Sequence, residues 1–335
     1  MPGRACVRLV CLVAVAAAAP AHADVVQLRV ASAAPAGTGW ARELAAFGRE
    51  VERSTSGAVK VKLYFGGVAG DDLAAFARLQ RGQLDAVAGT VLCDRVAPSL
   101  RVLRVLGLVQ TRAEGEYVLN RLRSAVDQEL AHGGVMALGL TIFGGDIVFA
   151  RKPIATLEAL RHTRLWIWSI DDVLRAEAPL LGLTTQPMPV EAALDAYERG
   201  DIDGFLGLPT AALNYQWSAR TRWFIALPVA MRSGCLVVSQ ATFDGLTPEV
   251  QEALRRAGAT LGRRFSDATR AADEQLMSGL FQRQGLKPAT PSPTFLAAFR
   301  QAARDARVQL PDDVVPRALV TKVNGWLADY RVERP

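Results

Sequence analysis

Leu79-Gln80-Arg81-Gly82-Gln83-Leu84-Asp85-Ala86-Val87-Ala88-Gly89 returns later in the chain, in type and order, as Tyr197-Glu198-Arg199-Gly200-Asp201-Ile202-Asp203-Gly204-Phe205-Leu206-Gly207. In each copy an Arg-Gly pair closes a helix, a short turn follows, and an Asp opens an apolar strand, which is the helix-to-strand half of an α/β unit. Two such units far apart in one chain mark two similar lobes. A cleft between lobes is where small ligands bind. The residues that end the copies, Gly89-Thr90 and Gly207-Leu208, are expected to face each other across it.

The length, 335 residues, suits two domains, and with half its residues apolar neither lobe lacks core material. Residues 1–23 carry Arg4 and Arg8, an apolar run from Leu9 to Ala19, and Ala21-His22-Ala23 before Asp24. This is the layout of a secretory signal peptide cut after Ala23. Val10 stands where a lipoprotein would need a small residue before Cys11. No later stretch has the ~20 uninterrupted apolar residues of a membrane span, so the expected setting is the periplasm. With Cys6 and Cys11 removed, Cys93 and Cys235 remain, either as one disulfide or as two buried thiols. The net charge of +6 is scattered rather than gathered into a stripe, which argues against a nucleic-acid partner.

Along the mature chain, the patterns predict a strand over 26–32, a helix over 40–55, a strand over 59–64, a helix capped by Asp71 or Asp72 and ending at Arg81, and a strand over 84–91. This order gives a parallel sheet with its ligand site beyond the carboxyl ends of the strands. A helix over 114–131 and strands over 135–143 and 147–150 follow. The second lobe is read as helices at 156–160, 170–181 and 190–199 around strands at 164–168 and at the second repeat. After strands at 223–228 and 235–239, a helical tract from Pro248 to about Gln284 reaches ~50 Å, long enough to span both lobes, with Gly258 and Gly262 as candidate kinks. A Pro-rich loop over 287–294 and two short helices complete the chain.

Catalytic patterns are missing. His132 and His162 lie near no Cys, Asp or Glu at metal-ligand spacing, and there is no nucleophile elbow or P-loop. The pairs Asp71-Asp72 and Asp171-Asp172 read as helix caps. The expectation is a binding protein that is not an enzyme and needs no cofactor or metal.

The Leu28-Arg29-Val30 strand, Gly70-Asp71-Asp72, the two repeat copies, Lys152-Pro153-Ile154 with Leu157-Glu158-Ala159-Leu160, and Leu246-Thr247-Pro248-Glu249-Val250-Gln251 together resemble the extracytoplasmic solute-binding proteins of TRAP transporters, of the DctP type. The resemblance runs through nearly the whole mature chain. It implies an α/β two-lobed periplasmic-binding-protein clamp, each lobe a mainly parallel sheet flanked by helices, with a long helix spanning both. Lobe 1 would comprise 24–148 plus about 229–265, and lobe 2 149–228 plus about 266–335. It further implies a membrane permease partner with a small and a large subunit, and places Cys93 and Cys235 in one lobe near the cleft, which favours their disulfide.

In that family an Arg on a second-lobe strand pairs with the ligand carboxylate. Here the resemblance puts Trp166 at that position, with Trp168 on the same strand face and Arg164 earlier in the strand. A second Arg of the family aligns with Asp146. Ala33, Thr90, Val190 and Gly207 align with cleft positions that are often polar, while Asp72 and Ser169 stay polar and Phe143 adds apolar wall; Tyr215 and Trp217 are further wall candidates whose plainer role is core. The leading expectation is a small apolar or aromatic ligand with a hydroxyl or amine end toward Asp146. The alternative is an organic acid held by Arg164, if the alignment slips by two residues. A ligand-sensing module for a membrane receptor would use the same clamp. Arg220-Thr221-Arg222-Trp223 is either a permease-docking surface or a solvated loop.

Overall fold

The two repeat copies fold alike in the computed structural model, which describes residues 25–334. The signal-peptide reading and its cleavage after Ala23 lie outside those residues. In each copy the helix ends at a glycine in the left-handed region, Gly82 at φ +70° and Gly200 at φ +83°, where a side chain would be strained. The Asp that follows is gripped by an arginine in the neighbouring parallel strand, or in the second copy just before it. Arg29 donates from Nε and Nη2 to Asp85 at 2.8 and 2.9 Å. Arg164 grips Asp203 in the same way, at 2.8 Å from each nitrogen. The backbone completes both clamps: the Asp85 and Asp203 amides donate to the carbonyls of Arg29 and Arg164 at 2.9 and 2.8 Å.

Among the described residues the nine strands are β1 (Val26–Ser32), β2 (Val59–Tyr64), β3 (Ala86–Gly89), β4 (Val135–Ala150), β5 (Leu165–Trp168), β6 (Thr185–Met188), β7 (Gly204–Gly207), β8 (Trp223–Ser239) and β9 (Lys287–Ala289). They form one sheet in the order β2-β1-β3-β8-β4-β7-β5-β6, with β9 beside β8. Within each lobe the sheet is mainly parallel: β2-β1-β3 in the first and β6-β5-β7 in the second. The lobes are joined by β4 and β8, which run antiparallel from Val135↔Ser239 to Ala150↔Trp223. Each was expected as two short strands. The glycines and polar residues that seemed to end them are β-bulges, at Ala137/Gly139, Ile142/Gly144 and Asp146/Val148.

Alternation along the strands sorts side chains to two faces. Leu28 and Val30 pack with the helices Gly39–Ser54 and Pro248–Gln275, while Val87 meets Val118, Leu122 and Val126 of the helix Arg112–His132. In the second lobe Leu165 and Ile167 face Phe295 and Phe299, and Trp166 faces Phe205 and Trp217. Pro248–Gln275 continues through a wide turn at Leu276–Leu280 into Phe281–Arg283. Its Leu254 and Leu261 lie in the first-lobe core, and Leu276 and Phe281 in the second. Gly258 and Gly262 do not break it. A Cβ on Gly258 would overlap the Leu138 carbonyl, so this glycine lets helix and β4 touch backbone to backbone.

Three local readings differ. The expected strand over 84–91 ends at Gly89, because Val91–Val96 forms a helix. The Pro-rich loop holds β9. The last helix, Arg317–Glu333, packs Val320, Val323 and Leu327 onto the first lobe, where Arg331 grips Glu114 at 2.7 Å, although 266–335 was assigned to the second.

Candidate functional site

A cavity of about 110 Å³ lies between the lobes. It is smaller than the ~300–1,000 Å³ usual for small-molecule sites and close to the ~150 Å³ of an apolar cavity that takes up benzene. The ends of both repeat copies, Gly89-Thr90 and Gly207-Leu208, line it. So do Ala33, Asp72, Phe143, Trp166, Trp168 and Val190.

Seven aromatic residues line the wall: Trp40, Phe143, Trp166, Trp168, Tyr215, Trp217 and Phe265. Trp217 stacks on Phe205 with centroids 4.6 Å apart, and lies 4.9 Å from Trp166 and 5.6 Å from Tyr215. Across the cleft, Phe143 lies 5.9 Å from Trp40 and stacks on Phe265 at 5.2 Å. Parity in β5 puts Trp166 and Trp168 on one face, toward the cavity. Trp166 donates its Nε1–H to the Met188 carbonyl at 3.1 Å, so it offers a ligand area rather than a donor. The Tyr215 hydroxyl donates to the Ala33 carbonyl at 3.4 Å, tying the two lobes together over the cavity.

Asp72 is no helix cap; Asp71 caps that helix. Asp72 is buried in the wall and its Oδ2 accepts from the amides of Thr90 and Leu92 at 2.8 and 3.2 Å. Burial raises its pKa above the usual carboxylate range, against the pull of those two amides.

Two of the expected site residues stand elsewhere, as does Arg164. Ser169 is not on the cavity wall. Arg164 is committed to Asp203 and also absent from the wall, so the carboxylate grip proposed for it is corrected. Asp146 is fully buried and does not await an amine. Its Oδ1 accepts from Arg232 Nε at 3.2 Å, and its Oδ2 from Arg232 Nη2 at 2.7 Å and Arg104 Nη1 at 2.8 Å. Burial pushes its pKa up, but the two guanidiniums outweigh burial and hold it below the ordinary range.

Arg232 is the residue that sequence reasoning missed, and it lines the cavity. The signal was present: one arginine within Val229-Ala230-Met231-Arg232-Ser233-Gly234-Cys235, a run otherwise fit for a core strand. Arg104, in Leu103-Arg104-Val105, is the same kind of oddity. It reaches from the first lobe to Asp171 at 2.7 Å, and Asp171 caps the second-lobe helix Asp172–Glu177 through Leu174. Asp94 accepts from Ser233 at 3.0 Å, and burial pushes its pKa up to about 7 in spite of Arg104. Cys93 and Cys235 are joined by a disulfide, and Cys235 lines the cavity.

Among the described residues, three on the wall keep a buried donor without a hydrogen-bond partner: Trp40 Nε1, Trp217 Nε1 and Arg232 Nη1. All three are donors. A buried donor left unmatched costs about 1–3 kcal/mol.

Residues 30–309 match the family model DctP, bacterial extracellular solute-binding protein, family 7. No curated protein matches the chain significantly. Among solved structures, a Bordetella pertussis extracytoplasmic solute receptor binding pyroglutamic acid is similar at 18% identity and a TM-score of 0.79, over 89% of this chain and 99% of that one. A TRAP periplasmic solute-binding protein from Xanthobacter autotrophicus Py2, with bound β-D-galacturonate, is similar at 20% identity and a TM-score of 0.78, over 89% and 99%. Another from Desulfovibrio desulfuricans, with bound sn-glycerol-3-phosphate, is similar at 16% identity and a TM-score of 0.81, over 90% and 97%.

Proposed function

Because the chain belongs to the DctP family of bacterial extracellular solute-binding proteins, family 7, we propose that it is the solute-capturing receptor of a TRAP-type transporter. It is exported behind a signal peptide cut after Ala23, closes on a compact and largely apolar solute, and hands it to a permease of a small and a large membrane subunit. Closure follows from the ligand's higher affinity for the state in which both lobes touch it.

The cavity wall carries the ligand reading. Trp166, Trp168, Trp217 and Phe143 give it an apolar body-binding face, joined by Ala33, Val190 and Gly207; Thr90 and Asp72 mark its polar side. A small organic acid is the second reading, supported by the pyroglutamic acid and galacturonate of the similar structures and by Arg232, which takes the place once given to Arg164.

Mass spectrometry of small molecules that co-purify with the protein tests this. The expected result is a solute with a body about the size of a benzene ring, lost from Arg232→Ala and Trp166→Ala. Recovery of a polyhydroxylated sugar acid, retained by both variants, would overturn the reading.

A further inference from the structure

Among the residues that line the cavity, only Asp72 and Arg232 carry a charge. The charge of Arg232 is answered inside the wall, where Asp146 takes its Nε and Nη2 at 3.2 and 2.7 Å. Arg104 is matched in the same cluster by Asp146 and Asp171, at 2.8 and 2.7 Å. Two guanidiniums meet two carboxylates there. Asp72 holds only backbone amides: its Oδ2 accepts from Thr90 and Leu92 at 2.8 and 3.2 Å, and among the described residues its Oδ1 accepts from nothing.

That second oxygen is not sealed in the protein. Asp72 is 2% exposed, and Oδ1 does not belong to the buried polar atoms left without a partner, so the surface it keeps opens on the cavity that Asp72 lines. The two amides fix the plane of the carboxylate, and Gly89 makes room for it: a Cβ at Gly89 would stand 2.5 Å from Oδ2 and 2.8 Å from Oδ1. Tyr215, from the second lobe, is near enough for the Asp72 charge to add to burial in raising its hydroxyl pKa. A free carboxylate oxygen in a cavity walled by seven aromatic residues suits a cation, which finds a charged acceptor in the one and the negative faces of the π-systems in the others. A neutral solute without a donor would leave Oδ1 desolvated and unmatched, and an anion would meet it where little water screens the two. Burial already raises the Asp72 pKa against the pull of the Leu92 and Thr90 amides, so a bound cation supplies what the wall lacks.

Resting on the reading of this cavity as the solute site, we propose that its solute is a small organic cation, a protonated amine on a compact apolar body, and that Asp72 selects it: the ammonium N–H donates to Asp72 Oδ1 while the aromatic rings surround the body.

Calorimetric titration of the purified protein at pH 7.5 with benzylamine, benzyl alcohol and benzoate tests it, since the three share one ring and differ in charge. Benzylamine binds most tightly, by about tenfold or more over benzyl alcohol, and benzoate binds most weakly. Asparagine keeps both amide bonds through its side-chain carbonyl, so Asp72→Asn removes the charge with little change of shape. In that variant benzylamine falls to the level of benzyl alcohol, whose own affinity stays within about threefold of native. Should the variant not fold, the native order of the three decides alone. Benzyl alcohol binding the native protein as tightly as benzylamine, or benzylamine keeping its lead in Asp72→Asn, overturns the proposal and leaves the compact apolar solute standing. Benzoate binding most tightly overturns it in favour of an organic acid. Binding of none of the three overturns the placement of the solute body in this cavity.

Discussion

Replacing Cys93 and Cys235 together by alanine opens a covalent loop that spans a sequence separation of 142 residues. The chain-entropy expression for a loop of that length gives about 5 kcal/mol at 25 °C. That is an upper figure, because denatured chains keep residual order. Alanine is the right replacement: both positions are buried, and a serine hydroxyl there would need a partner. The folded state has little reason to move. The bridge joins the helix Val91–Val96 to β8, and β3 already holds β8 beside it with Gly89 opposite Cys235. At about 2 °C per kcal/mol in a chain of this size, the thermal midpoint falls by about 10 °C in scanning calorimetry. The native protein in reductant falls by a similar amount, and the folded variant still binds its solute. A fall below about 2 °C in both experiments would refute the reasoning, since the loop would then restrain nothing that the fold does not.

Burial holds the pKa of Asp94 up to about 7 and that of Glu177 up to about 8, both raised, so the native state keeps protons that the unfolded chain releases near pH 4. Their contribution is full below that pH and lost as pH rises through 7 and 8, at up to about 1.4 kcal/mol per pH unit and group. Urea unfolding from pH 5 to 8.5 should show native stability declining, with Asp94→Asn and Glu177→Gln each flattening the decline; an unchanged slope in both variants contradicts the assignment. Gly258→Ala forces a methyl onto the Leu138 carbonyl and should cost about 1–3 kcal/mol. Gly262→Ala, whose nearest contact would be at 3.8 Å, should be neutral or stabilising by up to about 1 kcal/mol, and equal effects would show that the helix does not rest on β4 as described. Arg164→Ala, which breaks the grip on Asp203, should leave solute affinity within twofold of native by calorimetry; a tenfold loss would restore Arg164 to the site.

Local signals in the sequence carried most of the elements. Helix ends at Gly82 and Gly200, the cap at Asp71 and the alternation in Val59–Tyr64 each act over a few residues, and the chain keeps them. β4 and β8 were harder, because Gly144, Gly145 and Asp146 interrupt the apolar pattern just where the strands bulge and cross. Parity was enough to aim Trp166 and Trp168 together. Asp146 was singled out only by its alignment with a family arginine; its partner is 86 residues away, and no local rule joins Asp146 to Arg232. The same holds for Arg104 and Asp171, 67 residues apart. Asp72 was masked by its neighbour, since two adjacent carboxylates before a helix give no local sign of which one caps it and which turns inward.

The duplicated grips of Arg29 on Asp85 and Arg164 on Asp203 fix the joint between helix and strand on each side of the cavity. Both rims are braced in the same way, and the lobes are joined by β4 and β8. Bulges there add local twist to the strand pair. The same few residues hold Asp146 and Arg232, joined side chain to side chain across the pair. In mechanical terms the two lobes share one twisted pair of strands, pinned where four buried charges meet.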